Sequence, residues 1–181
     1  GMIVDAGTFD YANGKFPDFT EPDESYHGVV YTRDYAAAPF VIKARMQLQR
    51  DFGAYPAAHS AFMLNVSLES LDVRMRRHCE NARKVAEYLV TRDDVLNEVR
   101  YPGLPSSPYH DLAEKYLDGA SGVLTIDVKG GREAGVKFMD ALKVISRQVH
   151  VADARSCVLH PASTTHRQVP DDQLESVGIT P

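Results

Sequence analysis

The sequence predicts a mixed fold, an α+β or α/β layer in which helices cover a small sheet, and three observations lead there. Leu64, Leu68, Leu71, Met75, Cys79, Ala82, Ala86 and Leu89 recur three or four residues apart, the spacing of a single apolar helix face. After residue 95, short strand-like runs alternate with short helical patterns, punctuated by Pro102-Gly103, Gly130-Gly131 and Gly178. That is the texture of strands and helices packed in layers. The chain has 181 residues, 44% hydrophobic and 25% charged, long enough to bury a core and too apolar for a disordered chain.

In chain order, residues 1–7 form a short apolar run that reads as a strand, with no earlier element for it to pair with. Residues 8–28 carry Asn13-Gly14, Pro17, Pro22 and several aromatics, the marks of a long irregular excursion, either a lid-like functional loop or plain surface. Phe40, Ala44 and Leu48 predict a helix over residues 36–51, closed by Gly53. Pro56 breaks the path before the long stripe, which predicts one continuous helix about 40 Å long with its apolar face in the core. Its Arg74, Arg76 and Arg77 read as a solvated or ion-paired face. Strands follow at residues 95–101, 123–128, 144–151 and 156–159, and helices at residues 108–117, 132–142 and 170–177.

Composition narrows the classes of function. A net charge of -5 spread along the chain leaves no basic face for nucleic acid. No apolar run approaches the roughly 20 residues of a membrane span and no signal peptide is visible, so a cytoplasmic protein is expected. Cys79 beside His78, and Cys157 near His160, bring zinc to mind, but four ligands at metal spacing are not present.

The densest group of chemically capable side chains is residues 150–166, HVADARSCVLHPASTTH. An apolar run there delivers polar loops at both ends, which is one way to build a wall of a ligand site. The alternative is that Ser163, Thr164 and Thr165 only cap a turn. Ser163, His166 and Asp153 could be written as a catalytic triad, without the nucleophile elbow that usually goes with one. Gly130-Gly131 lies between a strand and a helix, as at a phosphate-binding entry, yet also suits a tight turn and lacks a phosphate-loop pattern.

Five ordered blocks, GKFPDFTEPDESYHGVVY, RHCENARKVAEYL, YPGLPSSPYHDLAEKYL, VKGGREAG and HPASTTH, make the chain resemble, nearly end to end, the O-acetylhomoserine sulfhydrylase branch of the pyridoxal-phosphate (PLP) dependent Cys/Met-metabolism family. The resemblance implies the C-terminal part of an aspartate-aminotransferase-like α/β enzyme. Residues 1–57 would end the large PLP domain and carry an insertion loop, residues 58–91 would be a connecting helix, and residues 92–181 most of a small α/β domain with a mainly antiparallel sheet. It further implies a cytoplasmic homotetramer acting on a small amino acid. Acetate would leave the γ-carbon of O-acetylhomoserine, and sulfide or a thiol would add to give homocysteine or methionine.

The site residues implied are few. In relatives, the positions matching His150, Val151 and Thr165 help bind the substrate carboxylate. Thr165 matches directly, whereas His150 stands where relatives carry Ser or Asn. The family's Schiff-base lysine follows a serine and a threonine, and none of Lys15, Lys43, Lys84, Lys115, Lys129, Lys137 and Lys143 has Ser or Thr within the two residues before it. The resemblance implies that the lysine falls a short way upstream of residue 1 and the carboxylate-binding arginine shortly after residue 181. No cofactor-binding or catalytic residue is expected within the chain, and residues 1–181 alone are expected to be inactive. A γ-lyase of the same family, or a catalytically silent interaction module, are the other functions the sequence leaves open.

Overall fold

The computed structural model describes residues 3–151 and 153–179. The chain divides into two compact units, residues 1–65 and 66–181, with the boundary inside helix α5 (Ala58–Glu69).

In the first unit, residues 3–7 are irregular, and Ile3 and Val4 lie exposed. The expected strand does not form in the described part of this run, which enters no ladder, and Asp5 instead accepts a hydrogen bond from the Gly7 amide (3.0 Å). The excursion at residues 8–28 is organised by aromatic packing. Tyr11 stacks on Phe19 with ring centroids 4.5 Å apart, and Phe9 and Phe16 meet edge to face. Within and just after it lie two short helices, α1 (Pro17–Thr20) and α2 (Tyr31–Asp34). The expected helix at residues 36–51 is present as α3 (Pro39–Lys43), a π-helical segment (Ala44–Gln49) and α4 (Arg50–Phe52), ending on Gly53 in a left-handed conformation (φ 64°).

Fully buried Tyr31 anchors this unit. The Lys43 ammonium lies 4.5 Å from its ring centroid and 3.7 Å from Asp23, and Gln47 also donates to Asp23. The loop is thereby tied to the helix that follows it.

The long stripe forms two helices rather than one, α5 and α6 (Leu71–Val90), because Ser70 leaves helical geometry (φ -105°, ψ 5°). Arg74 supports the break from the next turn. Its guanidinium donates to the Ser67 carbonyl (2.8 Å) and to Ser70 Oγ (3.2 Å), tying the first turn of α6 to the end of α5. The stripe is core only in its second half, where Ala82 and Ala86 are buried, whereas Leu64, Leu68 and Met75 are exposed.

In the second unit, Ala82 and Ala86 of α6 pack with Tyr101, Leu104, Ala113 and Ala120, and with the partly buried Val99 and Leu124. Strand β1 (Leu96–Arg100) pairs antiparallel with β2 (Thr125–Val128), from Leu96 opposite Val128 to Arg100 opposite Thr125, with a bulge between Leu96 and Glu98. Helix α7 (His110–Tyr116) lies between them in sequence. Helix α8 (Gly131–Ala141) follows β2 and contacts it. Strands β3 (Ser146–Arg147) and β4 (Cys157–Val158) form a separate short parallel pair. The run at residues 144–151 is thus mostly coil, since β4 is only two residues long and pairing with it extends no further than the bond from the Gln148 amide to the Val158 carbonyl. The predicted last helix resolves into two 3-10 turns, Asp171–Gln173 and Glu175–Val177, closed by Gly178 (φ 80°) and seated on fully buried Leu174.

Candidate functional site

Strand β4 delivers the chain into the turn at residues 160–166, and the turn is held by its own hydrogen bonds. The His160 carbonyl accepts from the Ser163 amide (3.2 Å) and from Thr164 Oγ1 (2.7 Å), while Nδ1 of His160 lies 2.9 Å from Ser163 Oγ. The Pro161 carbonyl accepts from the amides of Thr164 (3.1 Å) and His166 (2.9 Å). Proline starts the 3-10 segment Pro161–Ser163 because its missing N–H is not needed there. Burial, and then the charge of Arg132, push the His160 imidazole below its ordinary pKa and favour the neutral ring.

Beside the turn lies a groove of about 350 Å³. Its walls include Val136 and Met139 of α8, Arg147 and Gln148 at the end of β3, and His160 and Ser163 of the turn. The Gln148 amide N–H donates to the Val158 carbonyl (3.2 Å), and its side chain donates to Asp153 (3.2 Å). Hydrogen bonds from the side chain and then the amide of Arg155 hold the Asp153 carboxyl well below the usual carboxylate range.

The three residues expected to touch substrate, His150, Val151 and Thr165, are all exposed. The Thr165 hydroxyl lies 2.9 Å from Nδ1 of its neighbour His166, and the His150 carbonyl accepts from Cys157 Sγ (3.1 Å). The other hydroxyls of the cluster are engaged by His160. The notional triad is not assembled, since Ser163 bonds to His160, His166 to Thr165, and Asp153 to Gln148 and Arg155. Among the described residues no group of three or more His, Cys, Asp or Glu could hold a metal ion. Gly130 and Gly131 both adopt positive φ (97° and 61°), so a tight turn that only glycine makes cheaply accounts for the pair.

Sequence reasoning missed Gln148 and the α8 wall. Val136 and Met139 sit three residues apart on one face, a signal that could have marked them, but nothing in the sequence said that α8 would lie beside the turn. It also missed an apolar recess of about 600 Å³ bounded by Tyr88, Leu96, Ile126, Val128, Ala134 and Phe138.

Comparison with known proteins is consistent with this architecture. The family model for Cys/Met metabolism PLP-dependent enzymes matches residues 24–181. O-acetyl-L-homoserine sulfhydrylase 1 of Thermus thermophilus is 40% identical across the whole chain, which spans 43% of that protein. Homocysteine synthase of Schizosaccharomyces pombe is 41% identical over 99% of the chain and 42% of its own length. A Campylobacter jejuni crystal structure containing N'-pyridoxyl-lysine-5'-monophosphate superposes with a TM-score of 0.78 at 36% identity, covering 93% of this chain and 40% of that one. With the family model matched over most of its length, the chain belongs to the family of Cys/Met metabolism PLP-dependent enzymes.

Proposed function

We propose that this chain is part of a PLP-dependent enzyme that replaces the γ-acetoxy group of O-acetylhomoserine with sulfide or a thiol, releasing acetate and giving homocysteine or methionine. The observation that carries the reading is the 40% identity to the Thermus thermophilus sulfhydrylase over the entire chain. PLP, when bound, supplies the electron sink for this chemistry. The described residues do not by themselves fit the cofactor. The groove beside the turn has no lysine and no carboxylate in its lining. Lys43 donates to the Asp18 carbonyl, Lys84 pairs with Glu80, and Lys129 donates to the Asp93 carbonyl. In this proposal residues 1–181 alone are inactive, because none of the seven lysines has Ser or Thr within the two residues before it, as the family's Schiff-base lysine does.

What the chain contributes is a substrate wall. An exposed hydroxyl and an exposed imidazole suit an anion, so Thr165 and His150, with Val151 beside them, receive the substrate carboxylate. The division into residues 1–57, 58–91 and 92–181 is retained as the end of a large domain, a connecting segment and a small domain. A cytoplasmic homotetramer, with no role for nucleic acid or membrane, completes the proposal. Among the described residues no helix is long and apolar enough to cross a membrane, and the exposed Leu68, Leu71 and Val73 of the second unit suit coverage by other protein.

The test is an assay of the full enzyme with PLP. Sulfide-dependent formation of homocysteine from O-acetylhomoserine is expected. Release of ammonia and a 2-oxo acid from methionine, with no replacement activity, would instead make the protein a γ-lyase.

A further inference from the structure

We infer that His166 is a positioning residue that sets the polarity of the Thr165 hydroxyl and thereby the strength with which that hydroxyl holds the substrate carboxylate; this rests on the proposal that Thr165 is a carboxylate ligand. A threonine hydroxyl has one proton to give and two lone pairs to offer. With Thr165 Oγ1 2.9 Å from His166 Nδ1, two arrangements compete. If the hydroxyl donates its proton to an unprotonated Nδ1, only lone pairs remain for an approaching carboxylate and the contact is repulsive. If Nδ1 carries the hydrogen, the ring donates to Oγ1 and the hydroxyl proton is free for the carboxylate, in a charge-assisted hydrogen bond.

The local structure makes His166 the partner that decides. Thr164 donates its hydroxyl to the His160 carbonyl and Ser163 Oγ bonds to the His160 ring, so both are committed inside the turn. Among the described residues, Thr165 Oγ1 has only His166. The main chain of His166 is fixed from both sides, its amide donating to Pro161 O (2.9 Å) and its carbonyl accepting from the Val169 amide (2.9 Å). The backbone that carries the ring is thus held, and the contact with Thr165 Oγ1 orients the ring itself. Its Nε2 makes no hydrogen bond among the described residues and can exchange its proton through water, so a bound carboxylate selects the Nδ1–H form without breaking another contact.

Steady-state kinetics of the full, PLP-loaded enzyme test this. His166→Phe removes the ring donor while keeping a planar side chain. It should raise KM for O-acetylhomoserine about fivefold, as for loss of one neutral hydrogen bond that orients the Thr165 hydroxyl, with kcat within about twofold. His166→Asn places an amide N–H within reach of the same oxygen and should bring KM back to within about twofold of wild type. Thr165→Val should raise KM by more, roughly tenfold or above, as for loss of one hydrogen bond to a charged group, and adding His166→Phe to it should have no further effect, because His166 acts only through the Thr165 hydroxyl. The inference is overturned if Thr165→Val raises KM but His166→Phe does not, or if the two effects multiply in the double variant. If Thr165→Val leaves KM unchanged, the carboxylate role of Thr165 falls and this inference with it.

Discussion

Gly103 lies where the backbone passes the buried ring of Tyr101, and replacing it with alanine sets two effects of known size against each other. A Cβ at this position would sit 2.5 Å from Tyr101 Cε1, 3.2 Å from Cδ1 and 3.0 Å from Ala120 Cβ. The ring cannot easily yield, being 1% exposed with its hydroxyl donating to the Ser121 carbonyl (3.0 Å). Restricting the unfolded chain should stabilise the protein by about 0.4–1 kcal/mol, since φ at Gly103 is not positive. Overpacking a filled core costs about 1–3 kcal/mol. With a contact well under 3.0 Å against an anchored ring, overpacking wins, and Gly103→Ala should lower stability by about 1–2 kcal/mol. Urea unfolding followed by circular dichroism measures this, and Tyr101→Phe should reduce the penalty by releasing the ring. A Gly103→Ala protein as stable as wild type, or more so, would refute the argument.

Other expectations concern single groups. Burial, then the Asp23 carboxylate, push the Tyr31 phenol up to about 12. Because the folded-state value is raised, its contribution to stability is complete below about pH 10 and lost as pH climbs towards about 12; in an alkaline absorbance titration, a Tyr31→Phe variant that retains the wild-type number of normally titrating tyrosines would support this, and one that loses a normally titrating tyrosine would count against it. Removing the His160 ring by His160→Ala deletes its bond to Ser163 but spares its carbonyl contacts, so a loss of about 1 kcal/mol and faster amide exchange at residues 163–166 are expected; unchanged exchange would show that the ring does not hold the turn. The Arg132–Asp171 pair (3.0 Å) is exposed on both sides, so Arg132→Ala should change stability by less than about 1 kcal/mol, checked by the same urea titration.

Much of this architecture was legible in the sequence because it depends on local chemistry. The helix ending at Gly53, the strand at residues 96–100, the Gly130-Gly131 turn and α8 follow from glycine conformation and apolar period. The continuous helix over residues 64–89 failed at Ser70, where an unbroken apolar spacing hid a backbone departure supported by Arg74. The N-terminal strand failed for the complementary reason, as a β-strand needs a partner that apolar character does not supply. The polar turn at residues 160–166 was recognisable as a candidate site, while the division of labour among its three hydroxyls was not.

By itself the sequence determined the positions of turns and caps, the apolar faces and the family resemblance, since each is written in residue type at short range. Only tertiary structure decided which half of the long stripe becomes core, that α8 and β3 wall a groove beside the turn, and that Thr165 bonds His166 while Ser163 and Thr164 serve His160. Those outcomes depend on contacts between segments far apart in the chain or on hydrogen-bond direction in a folded turn, and neither is encoded in periodicity.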